Sequence, residues 1–363
     1  MPFSSIRYAA FRNLVDAELD LAAERVFFVG ENGQGKTNLL EALYYLAYGV
    51  SFRGQVDAEA VKRGAAEFSL SGRCSEALSD SPILSEEVFV SWAERVKTIK
   101  VQGKPVRDRK ILVEKNPTIV FCHEDYSFAA GEPERRRFFF DQAAGLISLS
   151  YIDTLREYKR ILRQRNAALR EGRFDLLDLL DQQYVGRGIE LMAARRRLQR
   201  EFDDRFVLRF EAVSLLGREV RLRYRPSWSG EEGIAEILAK LAAKRSEETA
   251  LGTSLSGPHR DRWSFAVGAE NFAATASTGQ LRLVSLTLRL VQAEYFTEMT
   301  GRLPLLLFDD VLLELDRSKR RRFLELIPPA GQAFFTFLPG EPWEEYRTDS
   351  TLVYEASDGR FAN

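Results

Sequence analysis

The stretch Gly30-Glu31-Asn32-Gly33-Gln34-Gly35-Lys36-Thr37 constrains this chain more than any other. Spaced glycines closed by Lys and Thr are the pattern of a phosphate-binding loop. Glycine permits a tight backbone whose N–H groups all point at one anion. The Lys36 ammonium reaches the β- and γ-phosphates of a nucleotide, and the Thr37 hydroxyl ligates Mg²⁺. Arg25-Val26-Phe27-Phe28-Val29 reads as a buried strand leading into the loop, and Asn38 to Leu46 as a helix leaving it. The loop therefore opens a helix, where the dipole and free N–H groups favour an anion. Gly30, Asn32, Gly33, Gln34, Gly35, Lys36, Thr37 and Asn38 are the candidate nucleotide contacts. A glycine turn followed by a chance Lys-Thr is the bland alternative, and the strand–loop–helix context argues against it.

The chain has 363 residues, 45% hydrophobic and 29% charged, enough for two domains or one large domain with an insertion. Two cysteines, Cys74 and Cys122, make neither a disulfide framework nor a metal cluster, so a cytoplasmic location is expected. The first residues lack the apolar core of a signal peptide, and no apolar run approaches the ~18 residues that span a bilayer. Net charge is −1, which gives no global attraction to nucleic acid. From Gly131 to Arg225, however, basic residues outnumber acidic ones, and all but Lys159 of the basic ones are Arg. That region reads as a phosphate-binding face or as a solvated helical surface laced with ion pairs.

Short β-rich pieces run from Glu67 to Val120, with a hairpin turn at Gln102-Gly103-Lys104, and Pro117 to Phe121 reads as a further buried strand. The pattern then becomes helical: Glu134 to Ala144, Tyr151 to Leu169, and Asp175 to Phe210, the last weakened by Gly186 and Gly188. Beyond Leu251, Ser264 to Val267 and Asn271 to Thr275 read as strands, Leu281 to Phe296 as a helix, and Leu305 to Phe308 and Ala333 to Phe337 as buried strands. Asp316 suits the N-cap of a helix starting at Arg317. The expected division is an α/β nucleotide-binding lobe from 1–125 and 251–363, with an antiparallel β subdomain around 65–120, and an inserted helical lobe from 126–250.

The strand Leu305 to Phe308 ends in Asp309-Asp310. In phosphate-loop ATPases the first such acid holds Mg²⁺, here with Thr37, and the next can deprotonate the attacking water. Ser277-Thr278-Gly279-Gln280 stands one helix upstream and offers a second anion cradle at a helix N-terminus. This order resembles the ABC-type ATPases, with Glu314-Leu315-Asp316 similar to their D-loop. The resemblance implies that Ser277, Gly279 and Gln280 meet the γ-phosphate of ATP held by another copy, so the catalytic set is Lys36, Asp310, Ser277 and Gln280 and the active form an ATP-dependent homodimer.

Transporter ATPases have a shorter interval between the two motifs, and chromosome-structure ATPases a far longer coiled coil. The compact helical block instead resembles the RecF family. The similarity is carried by Phe11-Arg12-Asn13, Gly33 to Ala42, Ser51-Phe52-Arg53, Glu134 to Phe138, Lys159 to Leu169, Gly257 to Asp261 and Phe308 to Val311. It implies a fold of ABC-type ATPase head plus antiparallel subdomain and helical lobe, ATP and Mg²⁺ as cofactors, slow ATP hydrolysis, and ATP-dependent binding to DNA at single/double-strand junctions. It also implies work with RecR and RecO ahead of RecA loading. Arg12 is a nucleotide contact by similarity to the chromosome-structure relatives. The DNA candidates are Arg135, Arg137, Arg160 and Arg163, with Arg136 and Arg165 beside them; consecutive arginines on a helix cannot all face one partner. Two positions depart from expectation, the first from the switch histidine of transporter-type ATPases and the second from the RecF pattern. No histidine follows the Ala333 to Phe337 strand, which leaves γ-phosphate sensing to another group such as Thr336, and Arg262 stands where the family often has a second acid after Asp261. His259 suits a hydrogen-bonded loop position. A transporter subunit, a small-molecule kinase and an ATP-gated clamp without useful hydrolysis are the competing readings.

Overall fold

A computed structural model describes residues 2–54, 56–75, 85–229 and 232–363, so residues 76–84 of the expected antiparallel subdomain lie outside the described residues. The chain opens with β1 (Phe3–Ala9), β2 (Ala17–Asp20), β3 (Arg25–Val29) and α1 (Lys36–Tyr48). Next come β4 (Phe68–Ser75), β5 (Ser85–Ala93), β6 (Val96–Val101), β7 (Lys104–Pro105), α2 (Lys110–Lys115) and β8 (Thr118–Phe121). A helical run follows: α3 (Tyr126–Ala130), α4 (Pro133–Ile147), α5 (Leu149–Glu171) and α6 (Phe174–Ser214). Then come β9 (Arg221–Arg225), α7 (Ile234–Ala243), α8 (Arg245–Leu251), β10 (Arg262–Val267), β11 (Glu270–Asn271), α9 (Phe272–Thr275) and α10 (Thr278–Thr300). The chain closes with β12 (Leu305–Phe308), α11 (Arg317–Glu325), β13 (Gln332–Phe337), β14 (Thr351–Ser357) and β15 (Arg360–Ala362).

These elements form two compact units, Met1–Asp125 with Phe296–Asn363, and Tyr126–Tyr295. The first unit holds two sheets. One has the order β15-β14-β3-β13-β12-β8, parallel throughout except for β15. Its strands β3, β8, β12 and β13 are almost wholly apolar and buried on both faces, as parallel strands require. The other sheet is antiparallel, β2-β1-β4-β5-β6-β7, and its β6–β7 hairpin turns through Gln102 and Gly103, both at positive φ. Helix α1 packs against β4 and β5 of one sheet and β13 of the other, so its apolar residues are buried on every side. It stops at Gly49, whose φ of 66° closes the helix in the left-handed region.

The second unit is not purely helical. A three-stranded sheet, β11-β10-β9, packs on α4 and α6, with Trp263 stacked on Phe140 at 3.7 Å. Phe202 meets Tyr295, and Arg209 pairs with Glu294. These contacts keep the strands and most of α10 with α6, so the unit ends at Tyr295 and not near Leu251 as patterning suggests. Asn271 to Thr275 is mostly a helical turn rather than a strand, because the Asn271 side chain accepts the Ala273 N–H as an N-cap.

Two buried arginines stitch this unit together. Arg165 on α5 bonds Asp181 on α6 at 2.6 Å and Glu248 on α8 at 2.7 Å. It is therefore an internal tie and not part of a DNA face. Arg195 on α6 pairs with Asp141 on α4 and with Asp261 ahead of β10, both at 2.8 Å. His259 is a hydrogen-bonded loop residue: its Nδ1 lies 2.9 Å from the Tyr158 hydroxyl and its Nε2 lies 3.1 Å from the Ser254 carbonyl. Burial depresses its imidazole to about 4, so it stays neutral near neutral pH.

Helix α6 runs unbroken through Gly186 and Gly188. A Cβ at Gly188 would stand 2.4 Å from the Trp228 ring, so this glycine admits the indole, whereas Gly186 faces open space. Gly186→Ala should therefore raise stability by about 0.5–1 kcal/mol, and Gly188→Ala should lower it by about 1–3 kcal/mol. Urea unfolding of both variants checks the pair, and equal shifts would contradict it.

Candidate functional site

The phosphate loop leaves β3 and enters α1 at Gly35, whose φ of 101° excludes a side chain without strain. Gly30 is required by closeness instead: a Cβ there would lie 2.4 Å from the Ala356 carbonyl on β14. The turn after β14 also braces the loop. Gly359 N–H donates to the Gln34 carbonyl at 3.2 Å, and Asp358 N–H donates to the Gln34 side chain. On the other side, Asn13 donates to the Gly33 carbonyl at 3.0 Å and accepts from Asn38 at 2.7 Å. Asn32 and Gly33 stay exposed at the tip.

Lys36 is buried, and its ammonium donates to the carbonyls of Gly30 at 2.6 Å and Glu31 at 3.0 Å. The ammonium is thus held at the loop it would share with a phosphate. Thr37 Oγ1 donates to Asp309 Oδ1 at 2.7 Å, which brings the first helical turn of α1 to the acidic end of β12. The parallel sheet sets this meeting, since β3, which leads into the loop and α1, and β12 both run parallel to β13, and Asp309 N–H donates to the Phe121 carbonyl of β8 at 2.9 Å. Burial raises the Asp309 carboxyl to about 7; the Thr37 bond opposes that rise and the charge of Asp310 adds to it. A partly buried carboxylate beside a hydroxyl is a hard-oxygen donor pair, which fits Mg²⁺ held by one carboxylate plus phosphates.

Asp310 adopts a left-handed φ of 52°, a conformation that costs a non-glycine residue energy. Thr336 on β13 compensates. Its Oγ1 accepts the Asp310 N–H at 2.8 Å and its hydroxyl donates to Asp310 Oδ1 at 2.7 Å. Nearby, Glu341 accepts from Leu338 N–H at 2.8 Å and from Arg320 of α11 at 3.2 Å, and burial raises its carboxyl above the usual range.

Arg12 is held by protein partners in this structure. It forks onto Glu41 of α1 at 2.7 and 3.0 Å and also donates to the Glu59 carbonyl. Ser51 donates to the same carboxylate at 2.6 Å, and Arg53 lies 3.5 Å from it. Glu41 as a charge centre, and Ala356, Asp358 and Gly359 as a loop wall, were missed by sequence reasoning. The Asp-Gly pair at 358–359 is a hairpin signal that could have flagged the wall.

In the second unit, Ser277 and Gln280 close on each other as a capping box: Ser277 N–H donates to Gln280 Oε1 at 2.8 Å and Gln280 N–H to Ser277 Oγ at 3.3 Å. Ser277 and Gly279 are exposed. Of the arginine candidates, Arg135, Arg160 and Arg163 are exposed, the last two three residues apart on one face of α5. Arg136 turns to the Ala129 carbonyl and Arg137 to the Asp261 carbonyl, both at 3.0 Å. Replacing Thr336 with Val should cost about 1–3 kcal/mol, because the partly buried Asp310 N–H and carboxylate lose their partner; urea unfolding measures it, and an unchanged midpoint would show that water replaces the hydroxyl without loss.

Comparison with known proteins matches this architecture. The family model of RecF/RecN/SMC N-terminal domains matches residues 3–339. The DNA replication and repair protein RecF of Treponema pallidum is 42% identical over 349 residues, covering 96% of this chain and 97% of the relative. Its counterpart in Leptospira interrogans is 31% identical over 338 residues, covering 93% and 91%. Among solved structures, the recombination mediator protein RecF with ATP superposes with a TM-score of 0.87 at 24% identity, covering 99% of this chain and 96% of that one. An Smc head bound to a domain of ScpA shares the fold at a TM-score of 0.57 and 13% identity. With an ABC-type phosphate-loop head, an antiparallel β subdomain and an inserted helical lobe, the chain belongs to the RecF family of DNA replication and repair proteins.

Proposed function

We propose that the chain is a slow ATPase that uses ATP to hold DNA during recombinational repair. The hydrogen bond from Thr37 to Asp309 carries this reading, because it joins the phosphate loop to the acidic strand in one site. Relatives described as RecF with ATP in the RecFOR pathway support the choice of nucleotide and pathway. In the proposed mechanism, loop N–H groups and Lys36 bind the phosphates. Thr37 and Asp309 would hold Mg²⁺, and the ion would offset negative charge on the phosphates. Asp310 takes the proton from the attacking water, and Thr336 sets the position of its carboxylate.

The phosphate loop and Ser277–Gln280 belong to different units, and the chain carries one of each. In this reading they meet in trans, between two copies that ATP holds together. Hydrolysis releases the pair and the DNA, at single/double-strand junctions where RecR and RecO prepare RecA loading.

Light scattering with and without ATP–Mg²⁺ and a gapped duplex tests the proposal. ATP-dependent dimers that retain DNA support it; a monomer in every condition sinks the trans assignment. Lys36→Met should abolish binding of a fluorescent ATP analogue. Asp310→Asn should slow hydrolysis by about 10²–10⁴-fold while keeping ATP binding and the dimer, and unchanged turnover would remove Asp310 from the mechanism. Ser277→Arg should bind ATP normally and fail to dimerise.

A further inference from the structure

The three-stranded sheet of the second unit has one face turned inward and one turned outward. Leu222, Trp263 and Phe265 are buried, and the alternate positions Arg223, Arg225, Arg262 and Ser264 are exposed. The register places Arg225 directly opposite Arg262, and Arg223 opposite Ser264. Like charges directly opposite on neighbouring strands destabilise a sheet. Charges on an edge strand commonly guard against unwanted pairing, and β9 is an edge. That role does not explain Arg262, which sits on the central strand β10.

The neighbouring arginine shows the contrast. Arg221 is engaged by Asp203, Asp204 and Glu219. Arg223 bonds the Gly268 carbonyl. The guanidinium groups of Arg225 and Arg262 have no hydrogen-bond or ion-pair partner among the described residues. Among the described residues, this repulsive pair of guanidinium groups therefore has no counter-charge.

We propose that this outer sheet face, centred on Arg223, Arg225 and Arg262, is a contact surface for the phosphodiester backbone of DNA. Guanidinium forks match phosphate oxygens two at a time. Arg223 and Arg225 stand about 7 Å apart along the strand, and Arg262 lies about 5 Å across the ladder, so the three fit successive phosphates of one nucleic-acid strand. Ser264, opposite Arg223, is the fourth exposed residue of the patch. The face therefore reads charge and not side-chain shape, which suits a uniformly charged backbone better than an acidic peptide.

This surface rests on the DNA-binding reading above, and one experiment separates the two. Anisotropy of a fluorescein-labelled gapped duplex with ATP–Mg²⁺ is followed over a range of salt for the parent, Arg225→Gln/Arg262→Gln and Arg225→Lys/Arg262→Lys. Loss of two phosphate contacts should shrink the slope of log K against log salt by about 1.8 in the Gln variant, and the Lys variant should keep the parent slope. Thermal melting of the Gln variant should be unchanged or raised, because the repulsive pair is gone. A Gln variant with the parent's slope and affinity overturns the surface and leaves DNA binding intact. A parent that fails to bind DNA overturns both.

Discussion

A carboxylate with no exposed surface sits in the middle of helix α1, and the site is organised around it. Glu41 cannot remain charged among apolar side chains without partners. Arg12 supplies two hydrogen bonds, Ser51 a third, and Arg53 lies within ion-pair range. These partners come from the turn after β1 and from the segment after α1. The same turn supplies Asn13, which holds Gly33 and Asn38. One buried charge thus ties two separate segments to the helix that presents Lys36 and Thr37. A pair of this kind adds little net stability compared with an apolar replacement, but losing one partner is costly, typically about 3–5 kcal/mol. Its value here is position: it fixes how the loop's helix sits between two sheets.

The site was legible in the sequence wherever backbone chemistry dictates residue type. Gly35, Lys36, Thr37 and the acids ending β12 stand in a pattern that would suit a phosphate, and the structure joins Thr37 to Asp309. Strands buried on both faces were also plain, because an unbroken apolar run such as Leu305 to Phe308 has few alternatives. Long-range bracing was not legible. Nothing local says that Ala356 presses on Gly30, or that Thr336 bonds Asp310. Asn271 to Thr275 misled because a four-residue turn is decided by one side-chain cap and not by periodicity.

Charge is where sequence reading was weakest. Counting arginines from Gly131 to Arg225 signals a basic region but not which guanidinium groups are spent internally. Arg165 and Arg195 are each consumed by two carboxylates, drawn from α4, α6, α8 and the loop before β10. They fasten elements of the second unit that a small apolar core between the helices would hold less specifically. Arg225 and Arg262, by contrast, are distinguished by their register, which only strand pairing reveals.

The contact between the phosphate loop and the turn after β14 sets a timetable for the growing chain. Gln34 and its partner Asp358 are 324 residues apart, and β3 lies between β13 and β14 in the sheet. At about 5–20 residues per second of synthesis, the motif that binds phosphate leaves the ribosome many seconds before either neighbour of its strand exists. Until then, β3 exposes two unpaired edges of an apolar strand, the kind of surface that chaperones shield and that aggregation exploits. The phosphate loop therefore reaches its braced form only once β13 and β14 have been made, long after its own residues.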